Sequence, residues 1–133
     1  MKNRRSIPIV LSFALLVLAG IAVFLSSSNR ENFNGSRVKN PDTYLLDIEK
    51  MNGTDLHTLE LHQGDALRIQ FETKKGPLYM EIKAPDGTAI YSGNGKETNN
   101  FTVNIRESGV YTIVVEARQA KGKIHVQLEE GQL

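Results

Sequence analysis

A chain of 133 residues with no cysteine and a formal net charge of +1 has room for one domain, and it excludes a disulfide framework, a thiolate metal site, a cysteine nucleophile and a lipidated cysteine. The charge is split, because residues 1–41 hold six Lys/Arg against one Glu whereas residues 42–133 hold ten against fourteen Asp/Glu. The larger part is mildly acidic, the opposite of the clustered basic surface that a nucleic-acid footprint needs.

Residues 1–6 form a basic flank, with Lys2, Arg4 and Arg5, ahead of Ile7–Leu25, nineteen residues without a charge. At about 1.5 Å of rise per residue such a helix is just under ~30 Å long, which matches a bilayer core. The length favours an uncleaved transmembrane anchor over a signal peptide, whose apolar region is about 7–15 residues long. Gly20-Ile21-Ala22 and Ser26-Ser27-Ser28 both fit a small-x-small cleavage site, so a secreted product is the alternative. The basic flank puts the N-terminus inside and the remainder outside, as a single-pass protein of the cell membrane. Residues 26–41 are polar, rich in Asn and Ser, with Phe33 as their one aromatic, and read as a flexible linker.

From residue 42 to 130 the pattern changes to short alternating runs separated by turn residues. Tyr44, Leu46 and Ile48 alternate before Asn52-Gly53, Leu59 and Leu61 before Gln63-Gly64-Asp65, and Leu67, Ile69 and Phe71 before Lys74-Lys75-Gly76-Pro77. Leu78, Met80, Ile82 and Ala84 share one parity ahead of Pro85-Asp86-Gly87, where proline presets φ and glycine accepts a positive φ, and extended structure resumes up to Tyr91. Phe101, Val103 and Ile105 form the next run, then Val110–Ala117, then Ile124, Val126 and Leu128. Eight strands at about ten-residue spacing predict an all-β domain, an antiparallel β-sandwich or jelly roll. A domain of this size buries roughly 60–65% of its unfolded surface, enough for one thin core.

Three stretches carry a resemblance: Leu61-His62-Gln63-Gly64-Asp65, then Ala84-Pro85-Asp86-Gly87-Thr88-Ala89-Ile90-Tyr91, then Glu107-Ser108-Gly109-Val110-Tyr111-Thr112. Over Leu56 to Glu116 the chain resembles the Golgi-dynamics (GOLD) type β-sandwich, and its Gly-x-Tyr strand entry is also similar to bacterial pre-peptidase C-terminal domains. The resemblance implies a module outside a single membrane span that serves protein–protein contact and has neither catalysis nor a cofactor. GOLD cargo receptors carry a cysteine pair and a C-terminal span, both missing here, so what is implied is a small bacterial cell-surface protein and not a trafficking receptor.

The residues themselves offer little chemistry. His57 and His62 are five apart and point to opposite faces of a strand, while His125 is distant, so no zinc set forms. Asp55, Asp65 and Asp86 fall in turns where aspartate caps its own backbone, and no calcium loop is present. Ser92 and Ser108 lack a nucleophile elbow, and Glu129-Glu130 is a solvated terminal pair. The Asn-x-Ser/Thr triplets at Asn34, Asn52 and Asn100 matter only in a glycosylating pathway. The expected function is a non-catalytic binding module or an accessory subunit at the cell surface, with a glycan-binding sandwich as the secreted alternative. Two features stand out. Gly109 and Tyr111 fit a tyrosine corner that opens a central strand. Val110 and Val114, on the outward parity of VYTIVVEA, together with Tyr79, form a candidate contact patch for a protein partner unless the chain itself covers them.

Overall fold

The structure, a computed structural model, describes residues 32–97 and 99–131, so the basic flank, the Ile7–Leu25 span and the start of the polar segment lie outside the described residues. Seven strands follow one another: β1 Asn32–Asn40, β2 Thr43–Leu61, β3 Ala66–Lys75, β4 Leu78–Lys83, β5 Ala89–Gly93, β6 Asn100–Asn104 and β7 Gly109–Glu129. Every pairing is antiparallel.

Two strands organise the rest. β2 and β7 are 19 and 21 residues long and pair with each other from Thr43↔Gln127 to Leu61↔Gly109, with register shifts between Ile48 and Gly53. An extra residue on one strand bends it and raises its twist. The pair therefore folds over at its middle, and one continuous sheet becomes two layers that share a spine. Layer one is β1, the first half of β2, the second half of β7, β3 and β6; layer two is the second half of β2, the first half of β7, β4 and β5.

This arrangement corrects three readings of the sequence. Asn52-Gly53, taken as a turn between separate strands, lies on the spine within β2, because β7 continues to pair on both sides of it and converts the turn dipeptide into a bend. Likewise Val110–Ala117 and Ile124–Leu128 are halves of β7, joined through Gln119, whose φ of 45° is unusual for a residue with a side chain. The eight expected segments are thus present, with four of them fused in pairs. Residues 32–40, read as part of a flexible linker, form β1, which pairs with β2 from Asn32↔Asn52 to Asn40↔Thr43. A polar strand can add to a sheet because the ladder is a backbone interaction, for which side-chain hydrophobicity is not required.

Between the layers the alternating residues interlock. Tyr44, Leu46, Ile48, Leu67, Ile69, Phe71, Ile124 and Val126 from one face Leu59, Leu61, Leu78, Met80, Ile82, Ile113 and Val115 from the other, all buried in one cluster. The β4–β5 hairpin closes through Gly87 N donating to Ala84 O at 2.9 Å and Ala84 N donating to Thr88 O at 2.7 Å. The Asp86 carboxylate accepts from Thr88 N at 2.9 Å, which favours its charged form and lowers its pKa. Beyond it, Tyr111 is buried with its hydroxyl donating to Glu107 O at 2.6 Å, and Gly109, at φ 151°, opens β7 where a side chain would collide with the Pro85 ring.

Folding a sheet over leaves two open sides. One is filled by the Tyr91 and Phe101 rings, 4.7 Å apart, between the unpaired edges of β5 and β6. The other is closed by Asp55, only 6% exposed, which accepts from the Tyr44 hydroxyl and from Lys39 Nζ at 3.1 Å, with Arg37 Nε 3.7 Å away. Lys39 also donates to Leu56 O at 2.8 Å, and His57 meets Asn40 O at 2.9 Å. Asp55 thus ties β1 and the first layer to the edge of the second. Asp55→Ala leaves the buried Tyr44 hydroxyl and two cations without their shared acceptor; the expected cost is about 1–3 kcal/mol in urea unfolding, with faster amide exchange confined to β1. Unchanged protection of β1 would contradict this role.

Candidate functional site

The outer face of the second layer carries the residues singled out in the sequence, but it does not bring them together. Val114 pairs with Leu56 on one side and Glu81 on the other, with Tyr79 and Lys83 diagonal to it, and longer side chains on these strands leave it 5% exposed. Val114 is therefore covered by the chain itself, the alternative left open by the sequence, and of the three residues Val110 and Tyr79 are exposed. Val110 is 53% exposed but pairs with Glu60 near the loop end, whereas Tyr79 pairs with Glu116 near the spine. Six residues of strand separate the two rows, about 20 Å.

Tyr79 belongs to a different grouping. It is 40% exposed and borders a niche of about 390 Å³ lined by Pro77, Leu78 and Ala117, with Lys96, Glu116 and Arg118 among its polar walls. Gly76 makes the niche possible: its φ is 71°, and a β-carbon there would lie 2.5 Å from Gln119 O and 2.8 Å from Arg118 O, so only glycine lets the chain cross between layers this close to β7. The sequence marked Gly76-Pro77 as a turn but gave no sign that Arg118, from a bulge about forty residues on, closes the other side.

The outer face of the first layer holds a second candidate that alternation alone did not reveal. Arg68 and Gln70 from β3, Asn100 and Thr102 from β6, and His125 and Gln127 from β7 line a shallow groove of about 520 Å³. Each is the polar member of an alternating run, and the register places Arg68 against both Gln127 and Thr102. Beside the groove, His125 Nε2 is 3.0 Å from Asp47 Oδ1, and Ser36 Oγ donates to Asp47 Oδ2 at 3.4 Å. A nucleophilic relay needs the imidazole between the hydroxyl and the carboxylate, and here the carboxylate is in the middle. The groove therefore presents amides, a guanidinium and an imidazole for hydrogen bonding, without an activated nucleophile.

The three histidines occupy separate places: His57 beside the Tyr44 ring, His62 at the loop end near Asp65, and His125 in the groove. Among the described residues no three His, Cys, Asp or Glu side chains gather as a metal set. Ser92 and Ser108 are exposed; Ser108 Oγ accepts from Gln63 N at 2.9 Å, which makes it a loop tie.

No family model matches the sequence, and no curated relative does. Among solved structures, Aeromonas hydrophila PliG, a periplasmic lysozyme inhibitor of g-type lysozyme, is similar at a TM-score of 0.50 and 17% identity, over 71% of this chain and 92% of that one. TmCBM61, solved in complex with β-1,4-galactotriose, is similar at a TM-score of 0.40 and 19% identity, over 66% of this chain and 68% of that one. The chain is an all-β, antiparallel protein of the β-sandwich type.

At the loop end, Asp65 fastens three segments. Its carboxylate accepts from Gly131 N at 2.9 Å and His62 N at 2.8 Å, while its backbone oxygen accepts from Ile105 N at 2.8 Å. Those amides, Gly131 first and His62 second, favour the carboxylate and hold its pKa below the ordinary 3.8. A lowered pKa contributes stability above the unfolded value, and that contribution is lost as pH falls through the folded one. Asp65→Asn is expected to cost about 1–2 kcal/mol at neutral pH. In urea melts taken at successively lower pH, the gap between the two proteins should close once the native carboxylate protonates; a gap independent of pH would show that charge is not what matters there.

Proposed function

We propose that this chain is a non-catalytic binding module held outside a membrane by Ile7–Leu25, and that it engages a protein partner through the niche beside Tyr79. The observation that carries this reading is a niche in which the exposed Pro77 and the edges of the buried Leu78 and Ala117 lie beside a half-exposed tyrosine and Arg118, neither of which the core uses. Tyrosine and arginine are the residues that most often dominate protein interfaces, because each adds large contact area together with directed hydrogen bonds. PliG, described as a lysozyme inhibitor, is a protein of this fold that acts on another protein, which supports the reading by analogy of fold alone.

The groove on the opposite face supports a second reading, that of a polar ligand such as a glycan, since its six side chains offer in-plane donors and acceptors. The rings that line that groove are Phe101, which packs inward, and the His125 imidazole, which Asp47 holds at 3.0 Å, so among the described residues no Tyr or Trp offers a broad stacking platform there. The niche is therefore favoured. A photoreactive amino acid placed at position 79 of the membrane-bound chain should give a discrete cross-linked partner, and the same probe at position 70 should not. Tyr79→Ala should leave stability within about 0.5 kcal/mol, as a surface substitution does, while Arg118→Glu should abolish the cross-link from position 79. Cross-linking from position 70 alone would replace the protein-contact reading with the groove.

A further inference from the structure

We propose that the spine, where the folded sheet turns over, docks on the anionic headgroups of a lipid bilayer and stands the domain with its loop end away from the membrane; this rests on the anchored reading above only in that the same bilayer supplies the surface. The first observation is charge. Lys50 on β2, Lys74 and Lys75 on β3, Lys96 in the loop before β6, and Arg118 and Lys121 on β7 all lie at the spine. Glu49 is 3.3 Å from Lys121, Glu72 is 3.9 Å from Lys74, and Glu97 and Glu116 lie at the same end, so six cations there face four carboxylates; Lys50, Lys75, Lys96 and Arg118 form no ion pair among the described residues. The opposite end carries Asp42, Glu60, Glu107, Glu129 and Glu130, countered there by Arg68, which pairs with Glu129 at 3.3 Å, and Arg106. Such a molecule is an electrostatic dipole along its long axis, and it orients over a charged surface.

A second observation is the register. Lys75 and Lys121 stand directly opposite each other across β3 and β7. Like charges in that relation destabilise a sheet; Glu49, 3.3 Å from Lys121, answers one of the two, and an anionic surface outside the molecule would answer the charge left on Lys75. The bulge at Gln119 works in the same direction, since its positive φ keeps Arg118 and Gln119 at the surface and outside the core.

The third observation is the tether. The described chain begins at Asn32, opposite Asn52 on the spine, and six residues separate it from Leu25. A fully extended chain spans at most about 3.5 Å per residue, so with Ile7–Leu25 in a bilayer the spine lies within about 25 Å of its surface in any conformation of the tether. Because a surface charge is felt within about 8 Å at physiological salt, a short tether together with a basic spine is the combination that holds contact. A membrane is thus favoured over a free polyanion.

The test uses the full chain in vesicles of phosphatidylcholine, with and without phosphatidylglycerol. Flotation with the neutral vesicles reports the anchor by itself. Amide exchange reports the spine: segments 49–53 and 118–122 should slow about tenfold or more in anionic vesicles, with no change at 105–108, and the effect should vanish in high salt. It should also vanish in Lys50→Gln/Lys75→Gln/Lys121→Gln, provided its melting temperature matches the parent; single Lys75→Gln, which removes the opposed pair, should keep part of the effect and serves if the triple variant is unstable. A chain that fails to float but still shows spine protection with anionic vesicles refutes the anchor and keeps the docking surface. A chain that floats with equal spine exchange in both lipids keeps the anchor and overturns the docking surface, as does equal protection by soluble polyphosphate at matched phosphate.

Discussion

The whole architecture depends on one constraint: β2 and β7 remain paired while both change layer. A sheet that folds over on itself must either break its ladder at the fold or absorb the bend in extra residues, and here the shifts between Ile48 and Gly53 absorb it. The ladder is therefore continuous from one layer to the other, and β3 and β4 join the same edge of β7 on either side of the bend, with Gly76-Pro77 crossing between them. What remains to be secured is the two open sides, and they are secured differently. The Tyr91–Phe101 pair closes one by ring packing, whereas Asp55 closes the other with charge-assisted hydrogen bonds. An aromatic plug tolerates small displacements, but a buried carboxylate does not, because losing any of its partners leaves it under-solvated.

The same constraint distributes the candidate surfaces. Folding about a spine produces two outer faces, a basic end and a loop end, each made from residues distant in sequence. The groove on the first layer has hydrogen-bonding groups and the His125 imidazole, while the niche on the second has an exposed proline, a tyrosine and an arginine. Burial decides between residues on one parity: Val114 and Tyr79 both face outward, yet Val114 in the middle of the face is covered by longer neighbours and Tyr79 beside the spine is not.

Alternation in the sequence is a reliable guide to which residues face the core, since Leu78, Met80 and Ile82, or Leu67, Ile69 and Phe71, have one buried parity and the physics of the strand allows no other assignment. The Pro85-Asp86-Gly87 turn and the Gly109-Tyr111 entry are legible for a similar reason, as each has a local mechanism. Connectivity is not local. Asn52-Gly53 suits a tight turn or a bend equally, and only the partner strand decides between them. β1 was illegible because its pairing comes from backbone groups that every residue has. The niche and the groove were illegible because Arg118 and His125 reach their neighbours through the register of β7, which no single segment encodes.

The direction in which β1 runs has a mechanical consequence. Its first residue is at the spine and its last, Asn40, is at the opposite end, where Asp65 also holds Gly131. Tension applied between the two ends of the described chain therefore acts along the strands, and the β1–β2 hydrogen bonds resist it side by side in shear instead of parting one after another as a zipper does. A module pulled away from its point of attachment would yield through the simultaneous loss of that ladder, and the Lys39–Asp55 contact, which bridges the two layers, adds its resistance in the same instant.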